Sequence, residues 1–336
     1  MKLVSHVAQT AVKREQAFWL LMVICSVAVV AASVEVFVRL VVDDGMQFDL
    51  EMWKYARDVK QIATDPLIGH AHRPNAQARL MGVDVKINSK GLRDREIPYE
   101  RAPSTVRILM LGDSFTEGWG VPFEQTFSKH IERLYAERGM NAEVINAGVG
   151  NYDTIMEASY FLDEGYKYRP DIVVLNYTFN DAEPVPAYSR PNWLLRQCYS
   201  CVFVFGRLDV LARDASVRPD WKDYYLALYG GGASAGWLAA KAAMRKLAAE
   251  TRSRRIKLLV ATLPELHELK NYPLQRITDL VREAAAEDGV DFLDVLPALQ
   301  SYDPATLWVS PTDPHPNAKA NEAIANTLFR KLETME

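Results

Sequence analysis

The sequence predicts a doubly wound α/β fold: a three-layer α/β/α sandwich of flavodoxin-like topology on a parallel sheet, preceded by one transmembrane helix. Three observations carry this. From residue 106 onward, short apolar runs alternate with amphipathic segments. Those runs lack the polar alternation of a one-sided sheet, which suits strands covered on both faces. Residues 17–34 (AFWLLMVICSVAVVAASV) hold no charge at all.

Composition sets outer bounds. A chain of 336 residues has room for one large domain or two small ones. Apolar residues make up 49% and charged residues 24%, which excludes overall disorder, a collagen repeat and a disulfide scaffold. Lys+Arg 39 against Asp+Glu 43 leaves a net charge of −4, so no nucleic-acid partner is expected.

The first element is the apolar run. It resumes after Glu35 as VFVRLVV, and a spanning helix needs about 20 apolar residues. On a helix Glu35 and Arg39, four apart, share a face and partly neutralise each other. Lys2, Lys13 and Arg14 precede the run, whereas Asp43, Asp44, Asp49 and Glu51 surround the single Lys54 after it. That asymmetry expects residues 1–16 as a cytoplasmic tail, 17–41 as the transmembrane helix and the rest outside, in a bacterium the periplasm. The alternative is a signal peptide cleaved near Ala31-Ala32-Ser33.

Residues 42–104 read as an extracytoplasmic leader, polar and broken by Pro66, Pro74, Pro98 and Pro103, packing on the main domain. His70 and His72 form a His-x-His pair with no third ligand close in sequence, so they are read as structural and no metal is expected. Cys198 and Cys201 either pair in an oxidising compartment or serve as small apolar residues.

The main domain is expected over residues 105–336. Its strands are read at 106–111, 143–146, 172–177, 256–262 and 290–295. Helices are read near 124–138, 154–167, 237–253, 273–288 and 317–332. An insertion at about 182–236 breaks the rhythm. It is rich in aromatics, among them Trp193 and Trp221, and ends in a glycine-rich stretch. It is read either as a substrate-binding element over the crevice or as a small satellite core.

In such a sheet the active site lies at the carboxyl ends of the strands, and four segments fall there. Gly112-Asp113-Ser114 follows the first strand and offers a hydroxyl at a strand-to-helix turn. Asn146-Ala147-Gly148-Val149-Gly150-Asn151 follows the second, where glycines let backbone N–H groups approach a ligand. Phe179-Asn180-Asp181 follows the third and supplies an amide donor. Asp313-Pro314-His315-Pro316-Asn317 precedes the last helix and supplies a base beside a carboxylate. Together they form a nucleophile, a base, an orienting acid and oxyanion donors.

At these residues the chain resembles the SGNH (GDSL-like) hydrolase superfamily, over roughly residues 105–333. The resemblance implies Ser114 as nucleophile, His315 as base and Asp313 as the acid that orients it. It implies an oxyanion hole from the N–H of Ser114, a second-segment N–H at Asn151 or alternatively Gly150, and the Asn180 side chain. Three positions depart from the family pattern: Asn151 for the usual Gly, Thr178 for the Gly of Gly-x-Asn-Asp, and the acid two rather than three residues before the His. Asn88-Ser89-Lys90-Gly91-Leu92-Arg93-Asp94 in the leader also resembles membrane-anchored members associated with envelope or exported polysaccharides. The implied protein is a membrane-anchored esterase or deacetylase of acyl, foremost O-acetyl, esters on such glycans. An O-acyltransferase using the same triad and a relict glycan-binding or assembly factor are the alternatives. No cofactor is implied.

Overall fold

The computed structural model describes residues 2–184, 193, 195–214 and 220–335, so residues 185–192, 194 and 215–219 of the expected insertion lie outside the described residues. The chain opens with helix α1 (Lys2–Phe37), which continues as a π-helical turn over Val38–Val42. Residues 13–42 form the one described helix long and apolar enough to cross a membrane. The Glu35–Arg39 pair closes at 2.7 Å, as the four-residue spacing requires.

The leader follows as helix α2 (Phe48–Asp58) and two small antiparallel pairs, Lys60–Ile62 with His70–His72 and Gln77–Leu80 with Val83–Lys86. Tyr55, Val59, Leu80, Met81, Val85 and Ile87 form an apolar cluster that takes in Trp119 and Val309 of the main domain. The Asn88–Asp94 motif is a clamp. The buried Arg93 guanidinium donates to the carbonyls of Glu117 and Val121. Asp94 accepts from Lys129 and from the backbone N–H of Asn146.

The main sheet has five parallel strands: β1 (Thr105–Gly112), β2 (Asn141–Gly148), β3 (Ile172–Tyr177), β4 (Lys257–Thr262) and β5 (Asp291–Asp294). Their order is β2-β1-β3-β4-β5. The chain therefore starts mid-sheet, steps to one edge and returns past β1, so the loops after β1 and β3 diverge. That divergence opens the crevice of a doubly wound sheet.

Side chains alternate between two cores, as the period of a strand demands. Leu109, Leu111, Val173 and Leu175 face α4 (Thr154–Asp163), α7 (Ala235–Ser253) and α8 (Gln275–Glu287). Ile108, Met110, Ile172 and Val174 face α3 (Phe127–Glu137) and α9 (Ala318–Glu333). All six residues of β3 are buried, which accounts for its unbroken apolar run. Two further strands, β6 (Trp308–Ser310) and β7 (Asp313–Pro316), form an antiparallel pair before α9.

The insertion is partly helical rather than merely irregular. It contains α5 (Tyr199–Asp214) and α6 (Trp221–Tyr229). Cys198 and Cys201 form a disulfide just ahead of and inside the first turn of α5.

Candidate active site

Two glycines set the geometry of the first segment. A Cβ on Gly112 would fall 2.0 Å from Thr116 Oγ1, and one on Gly148 would fall 2.2 Å from the Glu117 nitrogen. Only glycine lets the helical turn Ser114–Glu117 settle that close to β1 and β2. Asp113 caps the turn by accepting from the Phe115 N–H at 2.9 Å. Ser114 thereby becomes the first helical residue, with its side chain turned to the crevice.

The β6–β7 pair brings the last segment to it. Ser114 Oγ lies 2.9 Å from His315 Nε2, and His315 Nδ1 lies 2.6 Å from Asp313 Oδ1. The His315 backbone N–H also donates to Oδ1 at 3.1 Å, and the Trp119 indole N–H donates to Oδ2 at 2.8 Å. The acid two residues before the histidine thus reaches the ring directly. Burial pushes the Asp313 pKa up, but the hydrogen bonds from His315 and Trp119 outweigh it and hold the carboxyl below its ordinary value. Phe115, Phe48 and Trp119 stand around the imidazole at 5.4, 5.9 and 6.2 Å between ring centres.

The second segment divides its two expected donors. Asn151 sits at φ +64°, the left-handed conformation in which Asn stands in for Gly. Its side-chain oxygen accepts from Lys60 Nζ at 3.0 Å. Gly150 does not fit the alternative role proposed for it. Its N–H donates to the Tyr55 hydroxyl at 3.0 Å, and its carbonyl accepts from Lys60 and His70. Both polar groups of Gly150 are committed to the leader.

In the third segment the Thr178 hydroxyl lies 2.6 Å from Asn180 Oδ1, 3.1 Å from Asp113 Oδ2 and 2.8 Å from Asp181 Oδ1. Holding Oδ1 fixes which end of the Asn180 amide carries the donors. The Asn180 amide also hydrogen-bonds Asp113. The carboxyls of Asp113, Asp181 and Glu157 all have raised pKa values, first through burial; the Asp113 charge adds to it for Asp181, and the Asp181 and Asp113 charges add to it for Glu157. Both Glu157 oxygens are buried without a hydrogen-bond partner. Asp181 faces this group rather than His315.

Sequence reading passed over a buried network from the leader. His72 Nε2 meets the Tyr55 hydroxyl at 2.6 Å and His72 Nδ1 meets the Gly91 carbonyl at 3.1 Å. Burial, helped by the Lys60 charge, pulls His70 down to about 4 and His72 to about 3. Burial also pulls Lys60 below the ordinary lysine value, against the attraction of Glu117. Among the described residues no group of three or more His, Cys, Asp or Glu could hold a metal ion. The local signal for this network was the closeness of Lys60, His70 and His72 in the leader.

Of the two insertion tryptophans, Trp193 is 77% exposed. Trp221 packs at 5.3 Å on His267, which meets Trp308 of β6 at 4.9 Å. Tyr225 of the insertion connects toward the His315 ring through aromatic contacts: it lies 4.6 Å from Phe179, which is 6.3 Å from Phe115, itself 5.4 Å from His315. A hollow of about 870 Å³ lies at the opposite, amino end of the strands between Arg101, Arg169, Arg254 and Lys257. It touches none of these groups.

A serine at a strand-end elbow, hydrogen-bonded to a His–Asp pair over a five-stranded parallel sheet, defines a serine hydrolase of the SGNH type. The model of the GDSL-like Lipase/Acylhydrolase family matches residues 110–323, and the chain belongs to that family. Among solved structures it is similar to the lipase/acylhydrolase from Enterococcus faecalis, at 17% identity over 68% of this chain and 96% of that one, with a TM-score of 0.44. It is also similar to the acetyl xylan esterase AlAXEase, at 16% identity over 68% and 100% of the two chains, TM-score 0.43. A mutant of Axe2, an acetyl-xylooligosaccharide esterase from Geobacillus Stearmophilus, matches at 16% identity over 69% and 96%, TM-score 0.44. A search of curated proteins finds no match.

Proposed function

We propose that this protein is a serine esterase or deacetylase, held in the membrane by α1, that removes acyl groups, acetyl foremost, from envelope or exported glycans. The observation that carries the reading is the continuous line Ser114 Oγ, His315, Asp313 at 2.9 and 2.6 Å. His315 Nε2 accepts the Ser114 proton as Oγ attacks the ester carbonyl. The resulting oxyanion is held by the N–H groups of Ser114 and Asn151 and by the Asn180 amide. Each such donor is worth about 3–4 kcal/mol of barrier. His315 gives that proton to the departing sugar oxygen, then takes one from water, whose oxygen attacks the acyl-serine, and passes it to Ser114 Oγ as the C–O bond breaks and the acid leaves. Asp313 keeps the ring in the tautomer that leaves Nε2 free to accept.

The cations ahead of the apolar run of α1, Lys2, Lys13 and Arg14, support a cytoplasmic N-terminus and an exported catalytic part. Alkaline phosphatase, active only when exported, should therefore be active when fused after Glu336. The test of the activity is acetate release. Full-length protein in detergent should cleave p-nitrophenyl acetate and release acetate from an acetylated glycan, and Ser114→Ala should abolish both. Transfer to an added sugar without acetate release would move the reading to an acyltransferase. No turnover of either kind by folded protein would reject the catalytic reading.

A further inference from the structure

Helix α5 is bolted to the outer end of α1. The Glu35 carboxylate accepts from the backbone N–H groups of Tyr199 and Ser200 at 3.0 and 2.8 Å and from the Ser200 hydroxyl at 2.7 Å. An acid inside an apolar run thus caps the first turn of another helix, the favourable end of its dipole. Val38, one turn further on, is buried. On the far side α5 crosses α2 closely, for a Cβ on Gly206 would fall 2.3 Å from Asp49 Oδ2.

With those faces occupied, α5 turns Val204, Phe205, Leu208 and Leu211 outward, 46, 67, 54 and 61% exposed. Their spacing puts them on one stripe. Helix α5 itself begins beside Glu35, seven residues before the end of the helical run at Val42, a depth of about 10 Å along α1. Next to it stands a belt of aromatic and cationic side chains. Trp53 meets Tyr199 at 4.9 Å, Arg39 lies 4.1 Å over Tyr199 and Arg57 lies 4.4 Å over Trp53. Such groups are suited to the headgroup level, where one end is apolar and the other wet.

We infer that α5 lies in the outer membrane interface beside α1, its Val204–Leu211 stripe in the lipid, and so holds the catalytic crevice against the bilayer surface. The inference rests on the reading of α1 as a membrane span. The crevice is near enough. Phe48, which stacks near His315, follows Val42 by six residues, at most about 21 Å of chain. Arg207 of α5 donates to Gln47, its immediate neighbour, at 3.2 Å. An ester carried on a membrane lipid, including a glycan still attached to its lipid carrier, would meet Ser114 without leaving the surface.

The test uses the full chain with Cys25→Ser, reconstituted in phosphatidylethanolamine/phosphatidylglycerol vesicles. Single cysteines replace Leu208, Val27 or Glu287, each carrying an environment-sensitive dye, with nitroxide lipids as quenchers. Position 208 should be quenched by nitroxides near the headgroup, position 27 by nitroxides deep in the chains and position 287 by neither. Quenching at 27 with none at 208 overturns the inference while leaving the anchor intact. No quenching at 27 removes the anchor, and the inference with it. A second arm reads function. Leu208→Glu/Leu211→Glu should leave p-nitrophenyl acetate cleavage within about twofold of the parent. Cleavage of an O-acetylated hexadecyl glucoside in the same vesicles should fall at least about fivefold. Equal effects on both esters, or none on the lipid-borne one, contradict it. Failure of the parent on both esters would instead reject the esterase reading.

Discussion

Trp119 donates its indole N–H to Asp313 Oδ2 at 2.8 Å while His315 Nδ1 meets Oδ1 at 2.6 Å, so both oxygens of a fully buried carboxylate are engaged. Trp119 lies five residues after Ser114, in the loop that Arg93 of the leader ties down. The Ser114 loop, the leader and Asp313 are therefore one assembly.

Trp119→Phe keeps an aromatic ring in the site and removes the donor. An unpaired buried acceptor costs about 1–3 kcal/mol, so kcat should fall roughly tenfold to a hundredfold with KM nearly unchanged. The lost bond also lets the Asp313 pKa rise, so activity should begin to fail at a higher pH on the acid side than in the parent. A kcat and an acid limb equal to the parent's would show that the indole only fills space.

The strands and helices were legible because their signals are local. Each of the five strands lies within a few residues of an apolar run, and Ser114, Asp313 and His315 stand in short motifs at strand ends. What was illegible depends on partners distant in sequence. Gly150 looks free to donate in its own segment; Tyr55, ninety-five residues earlier, takes its N–H. Glu35 looks like half of an ion pair with Arg39; its other partners are at Tyr199 and Ser200. The aromatic richness of the insertion did not distinguish Trp193, which is exposed, from Tyr225, which reaches Phe179.

Tyr55→Phe tests whether the leader positions the second segment. It leaves the Gly150 N–H and His72 Nε2 without their shared partner, which should cost about 1–3 kcal/mol of stability. If losing that anchor lets the Gly150–Asn151 backbone shift, kcat should fall more than the folded fraction does, with fluorophosphonate labelling slowed in proportion. A loss of thermal stability with unchanged kcat would confine Tyr55 to a structural role.

The buried histidines set a pH dependence with a definite sign. His70 and His72 titrate near 4 and 3 in the folded protein, chiefly through burial, against an ordinary value of 6.5. Between those values the unfolded chain binds more protons, so their contribution makes stability rise with pH from about 3 to 6.5 and fall on acidification. Glu157 and Asp181, raised by burial, act in the opposite sense. Comparison with a variant separates the two. His72→Gln removes one of the two histidine titrations, so its melting temperature should depend less steeply on pH between 4 and 6.5. Parallel melting curves for parent and variant across that range would contradict the assignment.

The most direct measurement of the central claim is covalent. Full-length protein in detergent is treated with a fluorophosphonate and the adduct is mapped by peptide mass. The account predicts one adduct, on Ser114, absent in Ser114→Ala and formed far more slowly in His315→Ala. An adduct on another serine, or none on folded protein, would contradict it.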